Sequence, residues 1–371
     1  MWSNDLSQIL QEALILTPGL YGKDGISVVS REIVSAIANS SVDQLEIWSL
    51  TDCVATSPYG DCVRIRPAFG SRTRFSLWAL QRSLRRNAGT LVIVLHVHLA
   101  PVALPLLCRG AGMICFLHGI ECWHELPLIQ KTTLRQATRL IANSKHTAER
   151  FRHVNREFTS RAVSVCHLGL SPASRKPKSD SWPVFFALIV GRMAAVERYK
   201  GHDLLLEIWP KVLVEVPPAV LIVVGDGDDR CRLWDKAQSL GLGDAVRFLG
   251  KVSDEELSQL YNDCTFFVMP SSNEGFGLVF LEAMRAGKAC IGALGSATEI
   301  IVDGVTGFIV DPCRPDEVLG SVLRLFRDSG LRRAFGTAGK QRFDSQFTDV
   351  SFRTRLLPLL DLKPRTPVCL A

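Results

Sequence analysis

Short apolar runs and longer amphipathic stretches alternate along the chain. The apolar runs EALILT (12–17), LEIWSL (45–50), TLVIVLH (90–96), GMICFLH (112–118), RLIANS (139–144) and AVSVCHL (162–168) are nearly continuous. Runs of that length and composition predict strands buried on both faces, as in a parallel sheet. Helix-period patterns such as SVVSREIVSAIANS (27–40) and RFSLWALQRSLRR (74–86) lie between them. The series predicts a doubly wound α/β domain. A second series follows: VFFALIVG (184–191), AVLIVVGDG (219–227), AVRFLG (245–250), CTFFVMPS (264–271), KACIGA (288–293) and TGFIV (306–310). Its intervening helices include GHDLLLEIWPKVLVEV (201–216) and LVFLEAMRAG (278–287).

Between the two series, SPASRKPKSDSWP (171–183) is rich in Pro, Ser and Lys and has no apolar period, so it reads as a linker. The expected organisation is a first domain over 1–172, a linker over 173–183 and a second domain over 184–345. A C-terminal helix within 346–371 is expected to pack back on the first domain and to end in a frayed tail. Two such halves make a cleft, and ligands of doubly wound sheets bind beyond the carboxyl ends of the strands. Two ligands held side by side suit a transfer reaction. The stretch 91–107 is apolar enough to raise a membrane span, but two histidines and two prolines interrupt it. A buried strand followed by a Pro-started helix fits it better.

A chain of 371 residues with 47% hydrophobic and 22% charged residues has the material for two cores. The net charge of +6 is uneven. Residues 1–180 hold 21 Lys and Arg against 13 Asp and Glu, whereas the remainder holds 22 against 24. A basic first half suits an anionic membrane or a phosphate-rich ligand, or is simply a solvated surface. The eleven cysteines form no CxxC pair. Several sit in apolar runs, Cys115 and Cys290 among them, which predicts buried free thiols in a reducing cytoplasm. The first residues, MWSNDLSQIL, lack the basic-then-apolar pattern of a signal peptide.

The richest chemistry lies in SSNEGFGLVFLEAMRAGKACIGA (271–293). A strand ends at Pro270, a Gly-containing turn follows, and a helix starts near Gly277. Amides at such a helix start face an anion well, and Gly275 and Gly277 let the backbone approach closely. Glu274 before the helix suits sugar hydroxyls, and Glu282 inside it suits a ribose diol. The bland alternative for Glu274 is a favourable acidic residue at a helix start.

EGFGLVFLE resembles the E-x7-E motif of family 4 retaining glycosyltransferases (glycosyl transferases group 1). GRMAAVERYKGHD (191–203) resembles that family's Gly-Arg…Lys-Gly donor-phosphate segment. VVGDGDDR (223–230), GSATEIIVDGVTGFIV (295–310), LHGIECW (117–123) and ANSKHTAERF (142–151) resemble further elements. The resemblance implies a GT-B fold, with two Rossmann-like doubly wound domains facing each other across a cleft. It implies catalytic roles for Arg192, Lys200, Glu274 and His118. Gly191, Gly225, Asp226, Lys251, Val252, Gly275, Phe276, Gly277, Leu278 and Glu282 would line the nucleotide-sugar site. Arg192 and Lys200 make physical sense as paired cations for the charge that builds on a departing diphosphate. Their spacing of eight is longer than in much of the family, and Arg198 is a rival. No metal-binding DxD motif stands out, because Asp226, Asp228 and Asp229 sit in a turn assigned another role. The GDG of that turn lacks the third glycine of a dinucleotide fingerprint.

In the first half, TPGLYGKDGIS (17–27) opens a helix, and Gly22 or Gly25 would approach the diphosphate or the acceptor. The family often has adjacent glycines here, so which glycine makes contact stays open. His118 ends a strand and by resemblance would touch the donor sugar; the alternative is a hydrogen-bonded turn histidine. Glu121 and His124 could approach an acceptor hydroxyl. His96, His98 and His167 lie near other strand ends without metal-ligand spacing. RTRFSLWALQRSLRR (72–86) reads either as a sheet-covering helix with basic ends or as an interfacial helix on an anionic membrane.

The expected activity is therefore retaining, metal-independent transfer of a hexosyl unit from a UDP- or GDP-sugar to a glycan or lipid-linked acceptor in envelope or exopolysaccharide synthesis. By resemblance, the leaving phosphate takes the acceptor proton. The nucleotide sugar is a co-substrate and no separate cofactor or metal is expected. The expected location is cytoplasmic, at the inner face of the membrane if the basic first domain touches it. No nucleic-acid motif is visible. The alternatives are a sugar-nucleotide epimerase or phosphorylase on the same fold, and a non-catalytic sugar-nucleotide-binding subunit.

Overall fold

The structure, a computed structural model, describes residues 12–85, 87–172, 182 and 185–364. The N-terminal stretch read for a leader, Arg86 of the basic segment, all but one residue of the expected linker and the tail beyond 364 lie outside the described residues. The chain divides into two compact units, one up to Gly169 and again from Asp349, the other Leu170–Thr348. The crossing points differ slightly from the composition boundaries at 172 and 345. Leu170 donates its N–H to Phe347 O at 2.9 Å and bridges Thr348, so the second unit starts before the Pro/Ser/Lys segment does. The C-terminal helix Asp349–Leu359 packs on the helix Gly25–Ala38 of the first unit.

The first unit is a seven-stranded sheet of order β3-β2-β1-β4-β5-β6-β7. Its strands are β1 (Glu12–Thr17), β2 (Gln44–Ser49), β3 (Val63–Pro67), β4 (Thr90–Val94), β5 (Gly112–Leu117), β6 (Arg139–Ala142) and β7 (Val163–Val165). Every pairing is parallel. β4 is buried throughout and runs, through a short 3-10 turn, into the helix Ala100–Leu107, which has Pro101 in its first turn. This is the strand and Pro-started helix expected for 91–107. No helix among the described residues is long and apolar enough to cross a membrane. β3 is absent from the hydrophobic reading. Its alternation of buried Val63 and Ile65 with exposed Arg64 marks an edge strand, too polar to register as an apolar run.

The second unit is a six-stranded parallel sheet of order β10-β9-β8-β11-β12-β13. Its strands are β8 (Phe186–Val190), β9 (Val220–Val224), β10 (Val246–Gly250), β11 (Phe266–Met269), β12 (Cys290–Ala293) and β13 (Gly307–Val310). Trp209, Phe266, Phe267 and Phe280 fill the space between sheet and helices. In each unit the strand order reverses at one place, between β1 and β4 in the first and between β8 and β11 in the second. Chains leaving two such strands diverge to opposite sides of the sheet, which opens a crevice at their carboxyl ends.

Candidate functional site

The second unit places its chemistry at that crevice. β8 is followed by Gly191 and Arg192, and β11 leads through Pro270 into the loop carrying Glu274. A 3-10 segment, Ala195–Lys200, rises from β8 and ends at Gly201, whose φ is +90°. Gly201 lies against the Pro270 ring and carbonyl, and Ser272 N donates to Tyr199 O at 3.0 Å, so the two loops are stitched together. The result is a direct ion pair between two of the expected catalytic residues, Lys200 Nζ to Glu274 Oε1 at 2.9 Å. Ser271 Oγ donates to the same Glu274 oxygen at 3.2 Å. Ser296 Oγ, buried after β12, donates to the carbonyls of Glu274 at 2.7 Å and Phe276 at 3.3 Å.

The long spacing between Arg192 and Lys200 does not separate them. Glu197, between the two in sequence, takes the Arg192 guanidinium on Oε1 and lies 4.0 Å from Lys200 Nζ through Oε2. One nearly buried carboxylate thus gathers both cations. The rival Arg198 is engaged elsewhere, donating to both oxygens of Asp229 at 3.2 and 2.9 Å. Asp229 also accepts from Arg232, and these guanidinium hydrogen bonds, with Arg232 first, hold its carboxyl well below the usual aspartate range. Asp228 accepts from Ala195 N at 2.8 Å. Both aspartates therefore brace the loop. Among the described residues, no group of three or more His, Cys, Asp or Glu is arranged to hold a metal ion.

The expected nucleotide-side residues lie at the ends of β9 and β10 and at the start of the helix after β11. Gly225 N donates to Gly250 O at 2.9 Å, which sets the end of β9 beside Lys251 and Val252. The Asp226 carboxylate stands 4.0 Å from Arg230. Gly277 adopts φ +101° and starts the helix Leu278–Arg285; Phe280 N donates back to Gly277 O at 3.0 Å, and the amides of Leu278 and Val279 precede the first intrahelical bond. Phe276 is buried, with its ring against Phe347, so this position offers a ligand only its backbone. Glu282 lies within the helix and accepts from the Tyr261 phenol at 2.7 Å. Glu197, Ser296 and Tyr261 escaped sequence reasoning. Only Glu197 left a signal, a carboxylate lying between two expected cations.

In the first unit, His118 follows β5 and is almost fully buried. Its Nε2 stands 2.8 Å from Leu95 O. A carbonyl only accepts, so Nε2 carries the proton and Nδ1 is left as a buried acceptor with no partner among the described residues. Burial holds the imidazole below its ordinary pKa against the nearby Glu121. This histidine is therefore neutral, able to accept from a hydroxyl but not to anchor an anion. Glu121 Oε1 accepts from the amides of His118 (2.6 Å) and Gly119 (3.1 Å), so it first serves as the brace of this turn. His96, His98 and His124 form a chain of rings with centroids 4.9 and 6.5 Å apart, and burial pushes His96 down to about 4. Gly22 and Gly25 flank Asp24, which caps the helix they open by accepting from Ser27 N at 3.0 Å. An anion at this helix start would compete with a carboxylate already there, which favours a neutral hydroxyl ligand over a diphosphate. All ten described cysteines are free.

The chain is similar to known proteins. Residues 183–342 match the family described as glycosyl transferases group 1. An uncharacterized glycosyltransferase of Methanocaldococcus jannaschii is 39% identical over 146 residues, which are 39% of this chain and 36% of that protein. The GDP-mannose-dependent alpha-(1-6)-phosphatidylinositol monomannoside mannosyltransferase of Mycolicibacterium smegmatis is 28% identical over 65% of this chain and 69% of its own length. Among solved structures, Anabaena HepE in complex with UDP and glucose superposes with a TM-score of 0.75 at 18% identity, covering 95% of this chain and 99% of that one.

Proposed function

We propose, from the match of residues 183–342 to the group 1 glycosyl transferases and the GT-B fold of the chain, that the protein moves a hexosyl unit from a UDP- or GDP-sugar to a glycan or lipid-linked acceptor with retention of configuration. The observation that carries this reading is the cluster of Arg192, Lys200 and Glu274 at the switch point of the second sheet. Arg192 and Lys200 would hold the diphosphate, assisted by the amides that start the helix Leu278–Arg285. As the sugar–phosphate bond breaks, charge accumulates on the phosphate oxygens, and two fixed cations with a helix start stabilise that charge. Glu274 would turn from Lys200 to the donor sugar's hydroxyls, and Glu282 would take the ribose. His118, with its bare Nδ1, would accept from a sugar hydroxyl. No side chain need become a covalent nucleophile: the leaving phosphate takes the acceptor proton, and the enzyme supplies orientation and charge stabilisation. Under this reading the cations do the work of a metal.

The relatives support both donor bases, since one is named for GDP-mannose and a structural neighbour holds UDP. The test is nucleoside diphosphate release from UDP-glucose, UDP-N-acetylglucosamine and GDP-mannose, with glycolipid-containing vesicles as acceptor and EDTA present. One base is expected to support turnover that EDTA leaves unchanged. Turnover abolished by EDTA and restored by a divalent cation would refute the metal-free reading.

A lipid-linked acceptor also suits the helix Arg72–Ser83. Phe75 and Ala79 face the core, and Arg82 is drawn to Glu12 and Glu46 at 2.6 and 3.0 Å. Leu77, Leu80 and Leu84 form an exposed stripe beside exposed Arg72, Arg74 and Arg85. This pattern supports contact with an anionic bilayer. The protein should sediment with vesicles containing anionic phosphatidylglycerol and not with neutral phosphatidylcholine ones. A Leu80→Glu, Leu84→Glu double variant should lose at least tenfold in partitioning, on the order of the burial lost with two leucines. Equal sedimentation of both proteins would rule this helix out.

A further inference from the structure

Among the described residues, Glu282 forms no ion pair, unlike Glu274 and Asp226 of the expected donor site. It accepts a hydrogen bond from the phenol of Tyr261, which donates to Oε2 at 2.7 Å. Tyr261 lies in the helix Asp254–Asp263 and is 2% exposed, with its ring 5.7 Å from Phe267 of β11. The phenol is thus fixed by the core, whereas a glutamate's terminal torsion is intrinsically broad. We propose that Tyr261 is a positioning residue for donor recognition: it locks the Glu282 carboxylate by one oxygen so that the other meets the ribose diol of the nucleotide. The inference rests on the reading of Glu282 as the ribose contact.

Three physical effects support it. A carboxylate that gives one oxygen to a fixed donor has lost its rotational freedom before the nucleotide arrives, so the ordering cost does not fall on binding. A phenol hydrogen bond to a charged group is also among the stronger neutral-donor contacts. Finally, burial pushes the Glu282 carboxyl above the ordinary glutamate range, while the Tyr261 hydrogen bond and then Arg285 oppose that and Asp254 adds to it. Without the phenol, Glu282 would protonate at a higher pH and accept less well from hydroxyls.

The test uses the full chain with UDP, GDP and their 2′-deoxy and 2′,3′-dideoxy forms, titrated by calorimetry against wild type, Tyr261→Phe and Glu282→Gln. Phenylalanine keeps the ring packing, and a melting curve checks that the variant is folded. Wild type should prefer the ribonucleotide of the donor base. Tyr261→Phe should weaken ribonucleotide binding roughly tenfold, leave dideoxynucleotide binding unchanged, and move the acid limb of the binding profile to higher pH. An equal loss for ribo and dideoxy forms would make Tyr261 merely structural and overturn the proposal. Unaltered ribonucleotide preference in Glu282→Gln would instead remove Glu282 from the ribose, and the proposal would fall with that reading. Loss of preference in Glu282→Gln but not in Tyr261→Phe would overturn the positioning role alone.

Discussion

Lys200→Ala should lower donor turnover by about 10²–10³-fold, with a smaller loss in affinity for the nucleoside diphosphate. The difference between the two losses carries the mechanism. Charge on the phosphate oxygens grows as the glycosidic bond breaks, so a cation placed there favours the transition state over the bound donor. Lys200 is well placed for this, nearly buried and 2.9 Å from Glu274. A desolvated ammonium acts more strongly than one in water. The variant also leaves Glu274 without its cation, so the orientation of the sugar is disturbed together with the phosphate. Lys200→Arg provides the control: a restored charge in a different shape should recover part of the rate, because guanidinium and ammonium are not interchangeable at a shaped site. A Lys200→Ala variant with turnover within threefold of wild type would remove Lys200 from the chemistry. The measurement is steady-state release of nucleoside diphosphate at saturating donor.

Gly225→Ala should unfold the second unit more readily than any other single change at the site. Gly225 has φ +132° at the carboxyl end of β9, a region that residues with a side chain essentially do not occupy. A Cβ there would lie 2.0 Å from the carbonyl oxygen of Gly191, which belongs to the neighbouring strand end and cannot rotate away as a side chain can. The expected loss is about 4 kcal/mol or more, corresponding to a melting temperature lower by roughly 8–16 °C for a unit of this size. Gly304→Ala is the comparison. Its φ is also positive, +69°, but its added Cβ would meet nothing within 4 Å. It should cost only the left-handed penalty of about 1–2 kcal/mol. Equal melting shifts for the two variants would show that close packing of the strand ends is not what requires glycine at 225.

Much of this arrangement is legible in the sequence because it follows from local pattern. Twelve of the strands lie on apolar runs, and continuous runs such as FFALIV and LIVVG have few alternatives to buried parallel strands. β3 escaped because its two buried residues alternate with arginine. Arg192, Lys200 and Glu274 are identifiable from motif spacing, but their mutual geometry is not. Whether cations eight residues apart converge depends on the turn between them, here a 3-10 segment with a left-handed glycine and a shared carboxylate at Glu197. The partners that fix the site come from distant segments. Ser296 reaches back to the Glu274 loop from beyond β12, and Tyr261 reaches Glu282 from another helix. Such tertiary contacts leave no periodicity to read. The glycine-containing opening of the first helix shows the converse. Gly22 and Gly25 suggest a backbone open to the diphosphate or the acceptor, yet Asp24 between them caps the helix start with its own carboxylate.

The central claim is that the crevice beyond β8 and β11 holds a nucleoside diphosphate on Arg192 and Lys200. Thermal unfolding of wild type and Lys200→Ala with UDP, GDP and ADP, each with EDTA, tests it most directly. At about 100 times its dissociation constant, a bound nucleotide stabilises by roughly 2.7 kcal/mol. The expected result is a raised melting temperature with UDP or GDP, insensitive to EDTA and much reduced in Lys200→Ala. No shift with any nucleotide, or an equal shift in the variant, would contradict the claim.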